Sequence, residues 1–392
     1  MDKITLKDIA QRMGVTTTTV HRALQGKEGV SEERRQEIQN TAAKMGYRSN
    51  YMAATLKRKM IRIAIALPEP IHDNKYYYGN MWLGIRRFLN EVTEFNIEPL
   101  DYTYQFTYGA NGKALKDIYE KHIDNLDGLL TMGVDQGQTS YYIEKFTDRN
   151  IPIVFVGSDM YKDLRFCCVQ SFDEMAGSLA AELLTVFNED KRPKKAILTG
   201  HFGQLGMKDQ LYNAMGFENY LKANAPYITP LQIRGENPET TCYEIEQALK
   251  HDSSIFAIYS CSARYTIYLS EVIKKLGATS KIKFIGNDCF DESIELLKQG
   301  ALTAIIDKKI AHQSYLAIKI LFDYIVKTDY PRSSIIQVRP EVVLKSNADK
   351  DFITGNLRNL QPSRDPREAD QSVIERKNHY DFFYERRFSV EK

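Results

Sequence analysis

Apolar and polar positions in the first fifty residues repeat with a helical period. The apolar residues fall three or four positions apart in three short stretches, which glycines at positions 14, 26 and 29 separate. In an α-helix this spacing places apolar side chains on one face. The pattern therefore predicts three short helices around a shared core, formed by Leu6, Ile9, Ala10, Met13, Val20, Ala23, Leu24, Ile38, Ala42 and Met45.

Polar residues mark where these helices begin. Thr5 is placed to cap the first helix, with Asp8 three residues further on, and Ser31 is placed to cap the third. Four consecutive threonines, Thr16, Thr17, Thr18 and Thr19, open the second helix, although β-branched residues are poor helix formers. Two helices joined by a short turn that contains glycine are typical of a helix-turn-helix.

The start of the second helix carries side chains that suit DNA. Short hydroxyl groups can approach phosphates and base edges, and Arg22 can donate to both acceptors of a guanine in the major groove. An ordinary three-helix bundle, with one threonine as N-cap and the other residues simply exposed, would show the same local pattern. The spacing alone leaves both interpretations open.

From residue 61 onward, short apolar runs alternate with helical stretches. This alternation over about 280 residues predicts an α/β fold with parallel sheets, covering helices and two lobes. Ligands of such sheets bind at the carboxyl ends of the strands, and we expect the site between the lobes. The predicted strands are 61–67, 127–132, 152–156, 195–199, 255–259, 282–286 and 302–306, and the predicted helices include 80–94, 174–187, 208–223, 263–276 and 311–327.

Charge is distributed unevenly along the 392 residues. The net charge is +2, yet residues 1–60 carry 12 basic and 6 acidic residues, whereas the remainder carries 41 basic and 45 acidic. A basic head on a mildly acidic body predicts a polyanionic partner for the head only.

Several classes of protein do not fit the sequence. The five cysteines form no C-x-x-C pair, which argues against a disulfide framework or a zinc finger. No apolar run approaches a membrane span and the first residues lack a signal-peptide core, so we expect a cytoplasmic, nucleoid-associated protein. The chain has no H-E-x-x-H, complete phosphate loop or G-x-S-x-G elbow, so no enzyme, metal or cofactor is predicted.

The head resembles the DNA-binding domain of the lactose-repressor (LacI) family. The resemblance rests on residues 4–10, 14–16 and 19–24, and it continues through Val30, Ser31, Arg34, Arg35 and residues 45–47 to Asn50. His21 departs from the family, which usually has Ser there, and Thr17 and Thr18 occupy variable base-reading positions. The resemblance implies DNA contacts from Thr5, Leu6, Thr16, Thr17, Thr18, Thr19, His21, Arg22 and Ser31.

Residues 49–60 are a candidate hinge. Asn50 can cap a short helix through Lys57, which would be marginally stable in isolation. The family resemblance implies that this helix orders on operator DNA, that Leu56 is the wedge in the minor groove, that Ala53 keeps paired hinge helices close and that Lys57 lies near phosphate. A flexible basic linker is the alternative interpretation.

The body, residues 61–346, resembles the type-I periplasmic-binding-protein fold of the LacI-family effector domain. Its clearest stretches are 150–154, 215–217, 284–288 and 307–317. The resemblance implies a ligand site formed by Tyr77, Tyr78, Ser158, Ser262, Arg264, Asp288 and Lys308, with the tyrosines stacking on a sugar ring. Alternatively, the tyrosines pack on the surface, Asp288 caps the following helix, and Arg264 and Lys308 are solvated.

Two departures from sugar-binding relatives concern the identity of the ligand. Many relatives have Arg shortly before residues 215–217, where this chain has Leu211 and Asn213, and many have Asp in place of Gly157. The carboxylate-and-arginine clamp for a neutral sugar is therefore incomplete. Arg264 and Lys308 favour instead a sugar acid or a sugar phosphate.

These observations predict a ligand-responsive repressor with four segments: a head (1–48), a hinge (49–60), an effector and dimerisation domain (61–346) and an extension (347–392). A homodimer would bind a pseudo-palindromic double-stranded operator, and a sugar or sugar derivative would control its affinity. The family resemblance implies a last strand near residues 335–344, and the extension has no leucine heptad. The alternatives are a cytosolic sugar-binding sensor without specific DNA binding and an α/β enzyme with a helical appendage.

Overall fold

The structure is a computed structural model that describes residues 6–24, 29–45, 60–200, 209–235 and 237–348. Its contacts divide the chain into two compact units, which confirms the prediction of two lobes. The first unit contains Met1–Phe172 and Gln313–Arg339, and the second contains Asp173–His201, Tyr212–His312 and the chain from Pro340 onward. Most of the predicted hinge and of the C-terminal extension lies outside the described residues.

The head consists of three helices, as the apolar pattern predicts. They are α1 (Leu6–Met13), α2 (Thr17–Leu24) and α3 (Glu32–Lys44). Their shared core contains Ile9, Val20, Ala23 and Ile38, all fully buried. Burial of about ten apolar side chains is what holds helices this short in place, because each is marginal alone.

The first unit contains a parallel sheet with the strand order β2-β1-β3-β4-β5-β11. Its strands are β1 (Ile61–Pro68), β2 (Ile97–Tyr104), β3 (Gly128–Thr131), β4 (Ile153–Val156), β5 (Cys167–Ser171) and β11 (Ile335–Val338). Its helices are α4 (Asn80–Glu91), α5 (Ala110–His122), α6 (Thr139–Asp148) and most of α12 (Ile310–Lys327), together with a π-helical turn at Lys75–Gly79.

The second unit contains a sheet with the order β7-β6-β8-β9-β10-β12, parallel except for its last strand. Its strands are β6 (Lys194–Thr199), β7 (Ile228–Gln232), β8 (Ile255–Ser260), β9 (Lys283–Asn287), β10 (Ala304–Asp307) and β12 (Glu341–Val343). Its helices are α7 (Asp173–Phe187), α8 (Asp209–Asn224), α9 (Pro238–His251), α10 (Ala263–Lys275) and α11 (Asp291–Gln299).

The two sheets repeat one topology. In each, the first strand of the unit lies between the second and the third, and the later strands follow in order. This arrangement has a topological switch point, at β1 and β3 in one sheet and at β6 and β8 in the other, where ligands of doubly wound folds bind. The carboxyl ends of these strands are therefore the places to examine for a site.

One strand prediction is wrong. The segment 335–344 is not a single strand: it forms β11 in the first sheet and β12 in the second. The break falls at Arg339–Pro340, and proline has no backbone N–H with which to continue a ladder. Among the described residues, no helix is both long and apolar enough to cross a bilayer.

Candidate functional site

The helix α2 of the head presents a polar face supported by a buried one. Thr17, Thr18 and Arg22 are exposed, while Val20 and Ala23 are fully buried beneath them. Thr18 and Arg22 are four residues apart and therefore share one face of the helix. The exposed face can approach a DNA groove without disturbing the core.

Thr16 has a local structural role. Its Oγ1 accepts a hydrogen bond from the backbone N–H of Thr19 at 3.1 Å and lies 2.9 Å from the hydroxyl of Thr19. Thr16 is thus the N-cap of α2, and the run of threonines that is costly inside a helix is placed at its beginning. Ser31 caps α3 in the same way, through a 3.4 Å bond from the backbone N–H of Arg34.

Arg34 fixes α3 to the end of α1. Its guanidinium donates to the backbone carbonyl of Met13 at 3.1 Å and to Glu37 at 2.6 Å. Several predicted DNA contacts fall outside the described residues, namely Thr5, Asn50, Ala53, Leu56 and Lys57. Leu6 begins α1 and His21 lies in α2, but their side chains are also outside the description.

Tyr77 and Tyr78 lie in the π-helical turn that follows β1, at the carboxyl edge of the first sheet. Their rings meet edge to face at 5.1 Å; Tyr78 is buried and Tyr77 is half-buried. A Cβ on Gly157 would lie 3.0 Å from the Tyr77 hydroxyl, and Gly157 has a left-handed φ of +78°. A side chain at Gly157 would therefore be strained and would crowd Tyr77.

Ser158, at the end of the same edge, is buried and donates its hydroxyl proton to the Gly133 carbonyl at 2.9 Å. Its oxygen can still accept a hydrogen bond from a ligand. The next residue, Asp159, forms a buried bidentate pair with Arg165, with both N–O distances 2.6 Å. Asp159 therefore stabilises the β4–β5 connection.

The sequence did not predict a buried polar network that lies at this edge. Asn111 donates to the Tyr104 hydroxyl and to Thr131 Oγ1, both at 3.0 Å, and accepts from Thr139 Oγ1 at 3.1 Å. Thr131 in turn donates to the Ala66 carbonyl at 2.9 Å. The network links β1, β2, β3, α5 and α6, and burial raises the pKa of Tyr104. No sequence motif identified it, because its members are ordinary polar residues far apart in the chain.

The carboxyl edge of the second sheet carries buried charges. Asp288 and Lys308 follow β9 and β10, expose 1% and 3% of their surface, and approach to 3.8 Å between Oδ2 and Nζ. The interpretation of Lys308 as a solvated lysine is therefore wrong. Asp288 does not cap α11 through its side chain: Phe290 occupies the N-cap position, and Asp288 contributes its backbone carbonyl, which accepts from the Ser293 hydroxyl at 3.0 Å.

Asp307, beside Lys308, is a second buried carboxylate. Its Oδ1 accepts from the backbone N–H groups of Lys309 at 3.1 Å and Cys289 at 3.4 Å. Burial, and then the neighbouring charge of Asp288, raise the pKa of Asp307 to about 6. The Lys308 ammonium thus has one buried carboxylate beside it, that of Asp288, which offsets its charge.

Ser262 and Arg264 begin α10 beside this edge. Ser262 is buried at the N-cap position, and its carbonyl accepts from the hydroxyls of Ser260 at 2.8 Å and Thr266 at 3.0 Å. Arg264 is partly buried. The carboxyl edge of one sheet thus carries four of the predicted residues, as expected: Asp288, Lys308, Ser262 and Arg264.

Asn213 is one of the two residues in the stretch where sugar-binding relatives are expected to have arginine, and it is fully buried in α8. Its Oδ1 accepts from the Tyr259 hydroxyl at 2.8 Å, and Tyr259 stacks on Phe217 with the rings 5.4 Å apart. Burial raises the pKa of Tyr259 well above its ordinary value, so this hydroxyl is neutral. Within the described part of the chain, no group of three or more His, Cys, Asp or Glu side chains is placed to hold a metal ion.

Comparisons with known proteins agree with both parts of this architecture. Residues 5–50 match the model for bacterial regulatory proteins of the lacI family, and residues 90–329 match the model for the periplasmic binding protein domain. The second match covers more than half of the chain.

Curated relatives share low identity with the chain. The transcriptional regulator DegA of Bacillus subtilis is 26% identical over 157 residues, which are 40% of this chain and 44% of DegA. The chain thus spans less than half of that relative. The repressor PurR of Actinobacillus pleuropneumoniae is 24% identical over 87% of this chain and 97% of PurR. Both are named as transcriptional regulators, in line with the expectation of a regulator rather than an enzyme.

A solved structure shares the fold of the body. GanP, a glucose-galactose binding protein from Geobacillus stearothermophilus, superimposes with a TM-score of 0.62 at 22% identity, over 74% of this chain and 99% of GanP. Three observations identify the family, namely the helix-turn-helix head, the two doubly wound sheets and these matches. The chain belongs to the LacI family of bacterial regulatory proteins, with the lacI-family head joined to a periplasmic binding protein domain.

Proposed function

We propose that this protein is a transcriptional repressor that binds a pseudo-palindromic operator as a homodimer and releases it when a small carbohydrate binds the body. The observation that carries the proposal is the exposed face of α2, with Thr17, Thr18 and Arg22 above the buried Val20 and Ala23. A recognition helix needs this combination, because base contacts require exposed donors held by a rigid core.

Two heads are needed for the operator. One short helix reads only a few base pairs, so specificity comes from a pair of heads on two half-sites about one helical turn apart. The hinge, residues 49–60, would meet its copy at the operator centre, where Leu56 kinks the duplex. This activity places the protein in the cytoplasm, with the DNA.

The polar groups at the two carboxyl edges support a carbohydrate as effector. The first edge offers Tyr77 for stacking, and the second offers Ser262, Asp288 and Lys308 for hydroxyl groups. GanP, which shares the fold, is named for glucose and galactose.

The charge of the second edge favours a neutral carbohydrate over an acidic one. The sequence suggests a sugar acid because Arg264 and Lys308 appear there as two cations. Asp288, 3.8 Å from Lys308, offsets one of them. An anionic ligand would have to compete with this carboxylate for the same ammonium. We therefore propose a neutral sugar.

Selection of operator DNA by the full chain tests the proposal. Fragments enriched from a random duplex library should converge on a pseudo-palindrome, and a gel shift should show one complex of two chains per site. A cytosolic sensor without specific DNA binding would enrich no sequence, and that result would contradict the proposal.

The effector is tested by titrating neutral hexoses and hexuronates into the full chain beside one another, with melting temperature and operator affinity as readouts. We expect a neutral sugar to raise the melting temperature and to weaken operator binding. Tighter binding of a hexuronate would contradict the proposed ligand class, while leaving the operator result unchanged.

A further inference from the structure

Aromatic side chains at the carboxyl edge of the first sheet extend beyond Tyr77 and Tyr78. The ring of Phe106, which follows β2, packs on Tyr78 with centroids 5.5 Å apart. Two residues further along, Tyr108 is 74% exposed. The tyrosine pair after β1 thus contacts Phe106 on the connection that follows β2, and the same connection carries the exposed Tyr108.

The backbone that carries Tyr108 is fixed on both sides. Thr107 donates its backbone N–H to the Gln105 carbonyl at 2.8 Å, and Ala110 donates to the Thr107 carbonyl at 3.2 Å. Gly109 donates its backbone N–H to the Gln136 side chain at 3.3 Å and has a left-handed φ of +77°. The turn is therefore held by hydrogen bonds although the side chain at its tip is exposed.

The Asn111 network holds the same turn from below. Asn111 lies in the first turn of α5, directly after Gly109 and Ala110, and its side chain bonds to Tyr104, Thr131 and Thr139. Such a network restricts the connection between β2 and α5 to one conformation. An exposed ring on a fixed connection can bind a ligand at a low cost in conformational entropy.

We propose that Phe106 and Tyr108 form an outer subsite that binds the second ring of a disaccharide or a glycoside, while Tyr77 contacts the first ring. The proposal rests on the carbohydrate effector proposed above and makes it more specific. A sugar ring has weakly apolar C–H faces and a polar rim, so an aromatic side chain can cover its face while water or a hydroxyl satisfies the rim. Tyr108, exposed on a connection whose Phe106 contacts Tyr78, offers both.

Calorimetric titration of the full chain tests the subsite with matched probes: glucose against maltose and cellobiose, and galactose against lactose. We expect at least one disaccharide to bind more tightly than its monosaccharide. Tyr108→Ala should weaken that disaccharide about tenfold, since roughly 60 Å² of apolar contact is lost, and should change monosaccharide affinity less than about twofold. Tyr108→Phe should retain most of the affinity, because the ring face remains.

Tyr243→Ala is the matched control, because Tyr243 is 64% exposed on α9 of the second unit. It should leave both affinities unchanged. The subsite would be overturned if the chain bound monosaccharides at least as tightly as disaccharides and if Tyr108→Ala left the monosaccharide affinity unchanged. The proposed function would stand in that case. If none of these sugars binds, the carbohydrate effector fails, and the subsite fails with it.

Discussion

Arg22 is the residue on which the proposed reading of base edges depends most. It is exposed on α2, four residues after the exposed Thr18, and the helix beneath it is fixed by the core of the head. If Arg22 donates to both acceptors of a guanine, Arg22→Ala should weaken operator binding by about 1–3 kcal/mol and relax specificity at one base position. Fluorescence anisotropy on the selected operator and on its single-base variants measures both effects.

A control substitution at another arginine separates the loss of operator affinity from the general effect of removing a positive charge. Arg192 in the second unit has an 80% exposed side chain, so Arg192→Ala removes the same charge from a residue outside the head. We expect that variant to bind the operator like the unchanged chain. If Arg22→Ala still discriminates every base position as the unchanged chain does, Arg22 does not read a base.

Asp307 predicts a pH dependence of stability. Its folded-state pKa is raised to about 6, above the ordinary value of an aspartate, so the protonated form is favoured by folding. The contribution to stability is fully present below about pH 4 and is lost as the pH rises through about 6. Asp307→Asn keeps an oxygen for the backbone donors of Lys309 and Cys289. It should therefore leave stability nearly unchanged at pH 4 and raise it by up to about 3 kcal/mol at pH 7.5.

Chemical denaturation across this pH range, followed by circular dichroism, measures the difference between the variant and the unchanged chain. Asp190→Asn is the control, because the pKa of the exposed Asp190 is lowered, first by the backbone N–H of Arg192. That variant should gain no stability between pH 4 and 7.5. A constant difference for Asp307→Asn over the whole range would contradict the raised pKa.

Residue-level environments were the least predictable part of the site from sequence. The family motifs that contain Asp288 and Lys308 predicted that both residues lie at strand ends, and the structure shows them there. Nothing in the sequence shows that Lys308 is 3% exposed, or that Asp288 lies 3.8 Å from it, because both depend on neighbours distant along the chain. The prediction of an acidic ligand rests on Arg264 and Lys308 as two cations, and the sequence does not show that Asp288 lies beside one of them.

The crossing of α7 and α8 depends on two glycines. A Cβ on Gly177 would lie 1.8 Å from the Asn213 carbonyl, and a Cβ on Gly216 would lie 1.9 Å from the Glu174 carbonyl. The two helix backbones are therefore in direct contact, and Ser178 donates its hydroxyl across the crossing to Gly216 at 3.3 Å. Gly177→Ala should force the helices apart and lower the free energy of unfolding by about 3 kcal/mol.

Calorimetric melting of Gly177→Ala and Gly79→Ala provides a matched comparison. Gly79 has an ordinary helical backbone, with nothing within 4 Å of the added Cβ, so alanine there should be neutral or slightly stabilising. Equal melting temperatures for the two variants would show that the helices can separate at no cost.

Helices and strands were predictable from the sequence where a single hydrophobic pattern ran through the whole element. The buried runs at β1, β4, β8 and β9 identified strands to within a residue or two. The strand β2 was missed because it lies at a sheet edge and alternates between half-buried and exposed positions. The family resemblance implied one strand in the segment 335–344, and a resemblance does not show that consecutive residues join different sheets.

At the scale of the whole molecule, regulation requires the head and the body to influence one another. The head carries the excess of basic residues and the α2 face, while the body carries the polar carboxyl edges of two sheets. The sequence predicts this division, because helical spacing alone fills the head, whereas short apolar runs alternate with helical stretches in the body. A ligand can change operator affinity only by the ratio of its affinities for the two states of the protein.

Thermodynamic linkage turns that requirement into a prediction about the full chain. If the effector weakens operator binding by a given factor, operator DNA must weaken effector binding by the same factor, typically about 5–150-fold. Anisotropy with labelled operator measures the first factor, and calorimetric titration of effector into the chain with and without operator measures the second. We expect the two factors to agree, and a chain truncated to residues 61–392 to bind the effector equally with and without operator. An effector whose affinity is unchanged by operator would not be the ligand that controls repression.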